Sequence, residues 1–279
     1  QITRVNIVAD GDLKKKTIEI DDVSGFKSVI LDNNPKIGEV AAGSYDKNFN
    51  PHSQYDTDPA YNFDPGANNQ VHAVAALFDD SVLIGGDFTS FNSFPINRIG
   101  KLFTDGSVDK SFKVGSGADD TVTTIKTKDD GKILIGGRFK SYNGKVSYGI
   151  AQLNPDGSYD PGFNVGTGFD QTVRDIHVQD DNFVLISGEF TSYNNTNAVH
   201  LIRLDQDGNI DDKLKIKRAP NAPVNAVVSD QDGSIIAVGE FTKVGEYQRN
   251  YIVRYKADGE VDPNFESVEG ANGIIHDVA

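Results

Sequence analysis

The chain has 279 residues, 37% of them hydrophobic and none of them cysteine. That is enough for a core of ordinary density, and it excludes disulfides, thiolate metal sites and a cysteine nucleophile. With 41 acidic residues against 27 basic ones the net charge is -14, which repels phosphate backbones and argues against a nucleic-acid partner.

No window approaches the roughly 18 to 20 consecutive apolar residues that span a bilayer, and no basic-then-apolar leader stands at Gln1. A folded, soluble chain without membrane insertion is expected. Starting at Gln1 and lacking methionine, the sequence reads as a processed or trimmed piece of a longer protein.

Residues 1–57 are expected to form a small β module with a linker. Thr17 to Phe26 reads as a strand and turn, and Lys36 to Val40 as a second strand. The strand ending in Val23-Ser24-Gly25-Phe26 resembles short modules of phage tail and baseplate proteins. A degenerate repeat is the alternative, because Gly43-Ser44-Tyr45-Asp46-Lys47-Asn48-Phe49-Asn50 nearly duplicates Gly157 to Asn164. Pro51 to Tyr61, rich in Asp, Pro, Ser and Asn, reads as a linker or insertion. The basic clusters Lys14 to Lys16 and Lys213 to Arg218 read as solvated edges.

From residue 58 the chain repeats itself every 51 residues. Gly86-Asp87-Phe88 returns as Gly137-Arg138-Phe139, Gly188-Glu189-Phe190 and Gly239-Glu240-Phe241, and the same step joins Val71, Val122, Val173 and Val224. Asp58-Pro59 and Gly66-Ala67-Asn68 come back as Asp262-Pro263 and Gly270-Ala271-Asn272, so a fifth unit is present in halves. Residues 58–279 therefore hold four full repeats and two partial ones, the last entering a first strand at Ile274 to Val278. A fixed period of this length marks a solenoid, array or propeller, in which each unit buries apolar faces against its neighbours.

One repeat can be read strand by strand. Thr121 to Thr127 alternates β-branched with polar side chains, and Asp129-Asp130-Gly131 turns the chain. Lys132-Ile133-Leu134-Ile135-Gly136-Gly137 is nearly all apolar, as a strand covered on both faces should be, so it belongs in the middle of its sheet. A third strand surrounds Ile150, and Ser158 to Phe163 closes the unit; Pro161 suits only an edge strand. Four antiparallel strands per repeat without helical periodicity predict an all-β fold of β-propeller blades.

Asp156-Gly157-Ser158-Tyr159-Asp160-Pro161-Gly162-Phe163-Asn164, preceded by Ile135-Gly136-Gly137-Arg138-Phe139, resembles the delta-60 repeat family of bacterial and phage β-propellers over residues 58–279. The third copy departs from this pattern, with Asn209 to Leu214 in the closing element and Ser187 in place of Gly85 and Gly136, so a weaker outer strand is expected there. The resemblance implies a virion or extracellular surface setting but no common reaction.

Chemical motifs are sparse. Asp205-Gln206-Asp207-Gly208-Asn209 and Asp230-Gln231-Asp232-Gly233 suggest calcium, but an EF-hand loop begun at Asp205 would need a glutamate where Ile216 stands, and Asp-Gly pairs recur at every hairpin as turns. His52, His72, His177, His200 and His276 form no metal-binding or His-Glu pattern. Ser116 lies in Val114-Gly115-Ser116-Gly117 outside a nucleophile-elbow frame. Gly85-Gly86 and Gly136-Gly137 follow strands with no helix to hold an anion, so close packing between blades explains them better than phosphate binding. No catalytic residue, metal or cofactor is expected. Carboxylates are too abundant for any pair to single out a glycosidase, which ranks third.

Binding has slightly more support. The loop after the second strand carries Phe91, Tyr142, Tyr193 and Val244 at one position, and aromatic faces beside Asn143, Asn194 or Asn195 suit sugar rings. The competing account is that a residue repeated in every unit plugs the space between blades. Tyr148 and Tyr251 are read as sharing a second position, with the same two accounts. The expected function is a non-enzymatic structural and interaction module of a phage tail, baseplate or fibre protein, engaged in host-surface attachment. A bacterial cell-surface adhesin or glycan-binding protein is the alternative. Expected partners are other virion or cell-surface proteins and a surface glycan, with homo-oligomers arising through the parent assembly.

Overall fold

The computed structural model describes the backbone of residues 4–7 and 16–19 and the full structure of 66–265 and 270–279. Arg4–Ile7 and Lys16–Glu19 pair antiparallel, and the second of these overlaps the start of the Thr17 to Phe26 segment read as a strand and turn. The expectations for Lys36 to Val40, for Gly43 to Asn50 and for the linker lie outside the described residues. No helix occurs among the described residues, so none is long and apolar enough to cross a membrane.

The four repeats build four copies of one antiparallel sheet. First strands are Val71–Ala76, Val122–Thr127, Val173–Val178 and Val224–Ser229; second strands are Val82–Gly86, Ile133–Gly137, Val184–Gly188 and Ile235–Gly239; third strands are Ile99–Leu102, Ile150–Leu153, Leu201–Leu204 and Ile252–Tyr255. In every sheet the second strand lies between the first and the third. Its apolar run is buried on both faces, as its composition requires.

The fourth strand is shorter than expected. It is reduced to single bridges, Leu102 to Val108, Leu153 to Tyr159, Leu204 to Ile210 and Tyr255 to Val261. An aspartate then ends it by folding its carboxylate back onto the chain. Asp160 Oδ1 accepts from the Gly162 N–H at 2.8 Å, and Asp109, Asp211 and Asp262 accept likewise from Ser111, Lys213 and Asn264.

The outer strand of the third repeat is not weakened, contrary to expectation. Ile210 keeps the bridge, Leu214 stands where Phe163 stands one repeat earlier and is 5% exposed, and Arg203 Nη2 reaches Asp211 Oδ2 at 2.5 Å. The same aspartate carries an ion pair and an i+2 backbone hydrogen bond in the second and fourth repeats, so the third repeat keeps the contacts of its neighbours.

The Asp-Gly pairs are turn residues. Gly106, Gly157, Gly208 and Gly259 have φ between 78° and 87°, and Asp105 and Asp156 each accept from the N–H two residues on. The carboxylates suspected of binding calcium do the same work: Asp205 accepts from the Asp207 and Asn209 N–H groups, and Asp232 from that of Ser234.

Adjacent sheets pack face to face, each first strand lying against the first and second strands of the preceding repeat. One core layer joins Leu83 and Ile99 of the first repeat to Val122, Ile125, Phe139 and Tyr142 of the second, and equivalent layers follow. Close approach explains the first glycine of each Gly-Gly step. A Cβ on Gly136 would stand 2.7 Å from both Thr124 Cγ2 and Val173 Cγ1. This layered arrangement of repeated sheets is that of β-propeller blades.

Ile274 to Val278 forms no ladder, although a first strand is expected there. First strands pair only with the second strand of their own sheet, and no described strand forms a ladder with these residues. The segment nonetheless keeps register with the repeats. Asn225 Nδ2 donates to the Ile275 carbonyl at 2.8 Å, as Thr123 Oγ1 donates to that of Val173 at 2.6 Å.

Candidate functional site

One group of residues that differ between copies lies where first strands begin and second strands end. Between the invariant glycine and phenylalanine of each repeat stands Asp87, Arg138, Glu189 or Glu240. Asp87 Oδ2 meets His72 Nε2 at 3.0 Å, and its other oxygen accepts from the Thr121 hydroxyl of the next repeat. Arg138 Nη2 donates to that hydroxyl oxygen at 2.5 Å. Arg174 pairs with Glu189 of its own repeat at 2.7 Å and with Glu240 of the next at 2.6 Å.

These contacts set the charges. Burial alone would raise the Asp87 carboxyl, but hydrogen bonds from Thr121 and His72 and the nearby positive charge hold it below the usual range. Glu189 is lowered in the same way against its burial, by Arg174 and Thr172. The network ties neighbouring repeats together in pairs, which a sequence reading missed because its partners lie on different repeats. The one signal was a charged position of changing sign between two fixed residues.

Tyr142 and Tyr193 do not face a ligand. Both are 0% exposed, and their hydroxyls donate to the carbonyls of Gly157 and Gly208 at 2.7 Å. Burial pushes both phenols up. Phe91 and Val244 are buried at the same position. The packing account therefore replaces the sugar-binding one here: each side chain plugs its blade, and the two tyrosines also tie the loop to the following turn. Tyr142→Phe keeps the ring and leaves the Gly157 carbonyl without its buried donor, so a loss of about 1 kcal/mol in urea denaturation is expected.

Tyr148 and Tyr251 do not share a position. Tyr251 corresponds to Arg98, Gly149 and His200, all at positive φ near 70°, whereas Tyr148 corresponds to Asn97, Val199 and Asn250. Tyr251 is half-buried, and Tyr148 is 39% exposed. Tyr148 edges a cavity of about 210 Å³ between the second and third repeats, lined also by Arg138, Lys140, Asp170, Gln171 and Glu189. Its backbone is clamped: its carbonyl accepts from the Phe169 N–H at 2.9 Å. The Asp170 carboxylate is held in place by the Thr191 and Ser192 N–H groups.

Residues 79–112, 128–163, 179–212 and 231–265 match the family model described as "Domain of unknown function (DUF5122) beta-propeller". The repeats are β-propeller blades. Each match begins at the first hairpin of a blade and ends at its outer strand. No curated protein matches the chain. Among solved structures, a protein of unknown function from Bacteroides caccae is similar at 12% identity and a TM-score of 0.36, over 69% of this chain and 65% of its own. The chain thus spans less than two thirds of that protein. The WD40 β-propeller domain of Doa1 is similar at 13% identity and a TM-score of 0.39, over 70% of this chain and 67% of its own.

Proposed function

We propose that this propeller is a non-enzymatic structural and interaction module, carried by a phage tail, baseplate or fibre protein and used in attachment to a host surface. One observation carries the interaction reading. The side chains at repeated positions are occupied by packing and turns, as Tyr142, Tyr193 and the Asp-Gly steps illustrate, while side chains that change from blade to blade, such as Asp87, Arg138, Glu189 and Glu240, stand at the junctions between blades. A binding function placed on a repeat scaffold needs such a variable surface. The phage setting draws on the wording of Val23 to Phe26 and on the delta-60 resemblance.

A bacterial cell-surface adhesin that binds glycan is the second reading, favoured by the exposed ring of Tyr148 beside polar groups. Both readings predict surface recognition. Fluorescently labelled chain should be retained, saturably and reversibly, on at least one of a panel of Gram-positive walls and Gram-negative envelopes. Retention on none of them, or release of reducing sugar during incubation, would contradict a non-enzymatic attachment module.

A further inference from the structure

We infer that the cavity between the second and third blades binds one pyranose ring of a surface glycan, with Tyr148 as its stacking face. The inference rests on the attachment reading and assigns its ligand class.

The ring of Tyr148 is 39% exposed although its backbone is fixed on both sides. Its carbonyl accepts from Phe169, and the following Gly149 has a φ of 76°. Gly168 packs so closely that a Cβ there would lie 2.4 Å from the Tyr148 carbonyl oxygen. With the backbone already ordered, only the side-chain torsions of Tyr148 remain to be fixed when a ligand stacks on its ring. Pyranose rings present an apolar face of C–H groups and a rim of hydroxyls, which calls for an aromatic plane beside hydrogen-bonding groups.

Those groups are present. Gln171 is exposed, lines the cavity, and its amide has no hydrogen-bond partner among the described residues, so its donor and acceptor are both available. Arg138, 54% exposed at its side chain, offers further N–H donors. Glu189 offers a carboxylate already oriented by Arg174 and Thr172. At about 210 Å³ the cavity is smaller than the ~300 Å³ at which drug-sized pockets begin, which suits a single ring.

Among the described residues no other junction repeats this combination. Where Tyr148 and Gln171 stand, the first junction has Asn97 and Asp120 and the third has Val199 and Ala222. Asn97 is also engaged, donating to the Ser116 carbonyl at 3.0 Å. The close packing on the Tyr148 backbone recurs at Asn97 and Asn250, whose carbonyls meet Gly117 and Gly270 in the same way, but only at Tyr148 does that backbone carry an aromatic ring.

The test is saturation-transfer NMR of the whole chain with methyl β-glucopyranoside, methyl β-galactopyranoside and N-acetylglucosamine, joined to a glycan array. At least one probe should show transfer, and array binding should fall about tenfold in Tyr148→Ala and stay within about threefold of the parent in Tyr148→Phe. Gln171→Ala should lower it without changing the urea midpoint. Silence toward all probes and arrayed glycans, or binding that survives Tyr148→Ala, would overturn the site. Envelope retention that persists in Tyr148→Ala would overturn it too while leaving the attachment reading intact; loss of retention by the parent chain would instead remove that reading.

Discussion

Gly137→Ala is expected to destabilise the chain by more than about 3 kcal/mol, beyond the usual range for an overpacked methyl group. A Cβ built on Gly137 would lie 2.0 Å from the Thr121 carbonyl oxygen and 3.1 Å from Val122 Cα. Both atoms are backbone, and that oxygen also accepts from the Arg138 N–H at 3.0 Å. A bulge between Val122 and Thr124 brings the first strand this close. The same approach recurs at Gly86, Gly188 and Gly239, where the carbonyls of Gln70, Thr172 and Pro223 lie 2.1 to 2.3 Å from the added atom. The preceding position behaves differently. Gly136→Ala meets only side-chain methyls, and Ser187 and Val238 already occupy its equivalents, so its cost should be about 1 to 2 kcal/mol. Urea midpoints of the two variants, compared at equal slope, check the order; equal midpoints would refute the backbone argument.

Asp211→Ala should cost about 3 to 5 kcal/mol, because it leaves the Arg203 guanidinium, 14% exposed at its side chain, without its partner. Arg203 Nε and Nη2 both donate to Asp211 Oδ2. Removing both charges together, as in Arg203→Met with Asp211→Leu, should recover much of that loss, since no uncompensated charge stays behind. The same pair predicts a pH response. Burial would raise the Asp211 carboxyl, but the Lys213 N–H and the Arg203 charge outweigh it and the folded-state value is lowered. A lowered carboxyl contributes stability that is present above its unfolded value and disappears as pH falls through its folded one. Urea midpoints taken from pH 6 down to pH 2 should therefore fall less steeply in the double variant than in the parent chain. Parallel profiles would show that the pair contributes nothing to acid sensitivity.

Much of the architecture was legible because its causes are local. The apolar run of Ile133 to Ile135 marks a central strand wherever it folds, and Asp156-Gly157 marks a turn because the glycine must take a positive φ. The outer strand of the third blade was misjudged for a related reason. Ile210 and Leu214 keep its bridge and its plug, but the stabilising partner, Arg203, sits on another strand and cannot be inferred from the closing element alone.

The candidate site was much less legible. Aromatic character placed Tyr142, Tyr193 and Tyr148 in one class, yet the first two point into the sheet stack and the third does not. Side-chain type tells what a residue could bind; exposure depends on which blade lies against it.

The 51-residue period, the turn chemistry and the strand order follow from the chain itself, since they depend on backbone preferences and hydrophobic alternation within one repeat. Which tyrosine is a plug and which is a surface, which glycine tolerates a methyl group, and which charges pair across repeats follow from the distance between one blade and the next. Those distances belong to no single repeat, and they arise only when neighbouring sheets pack.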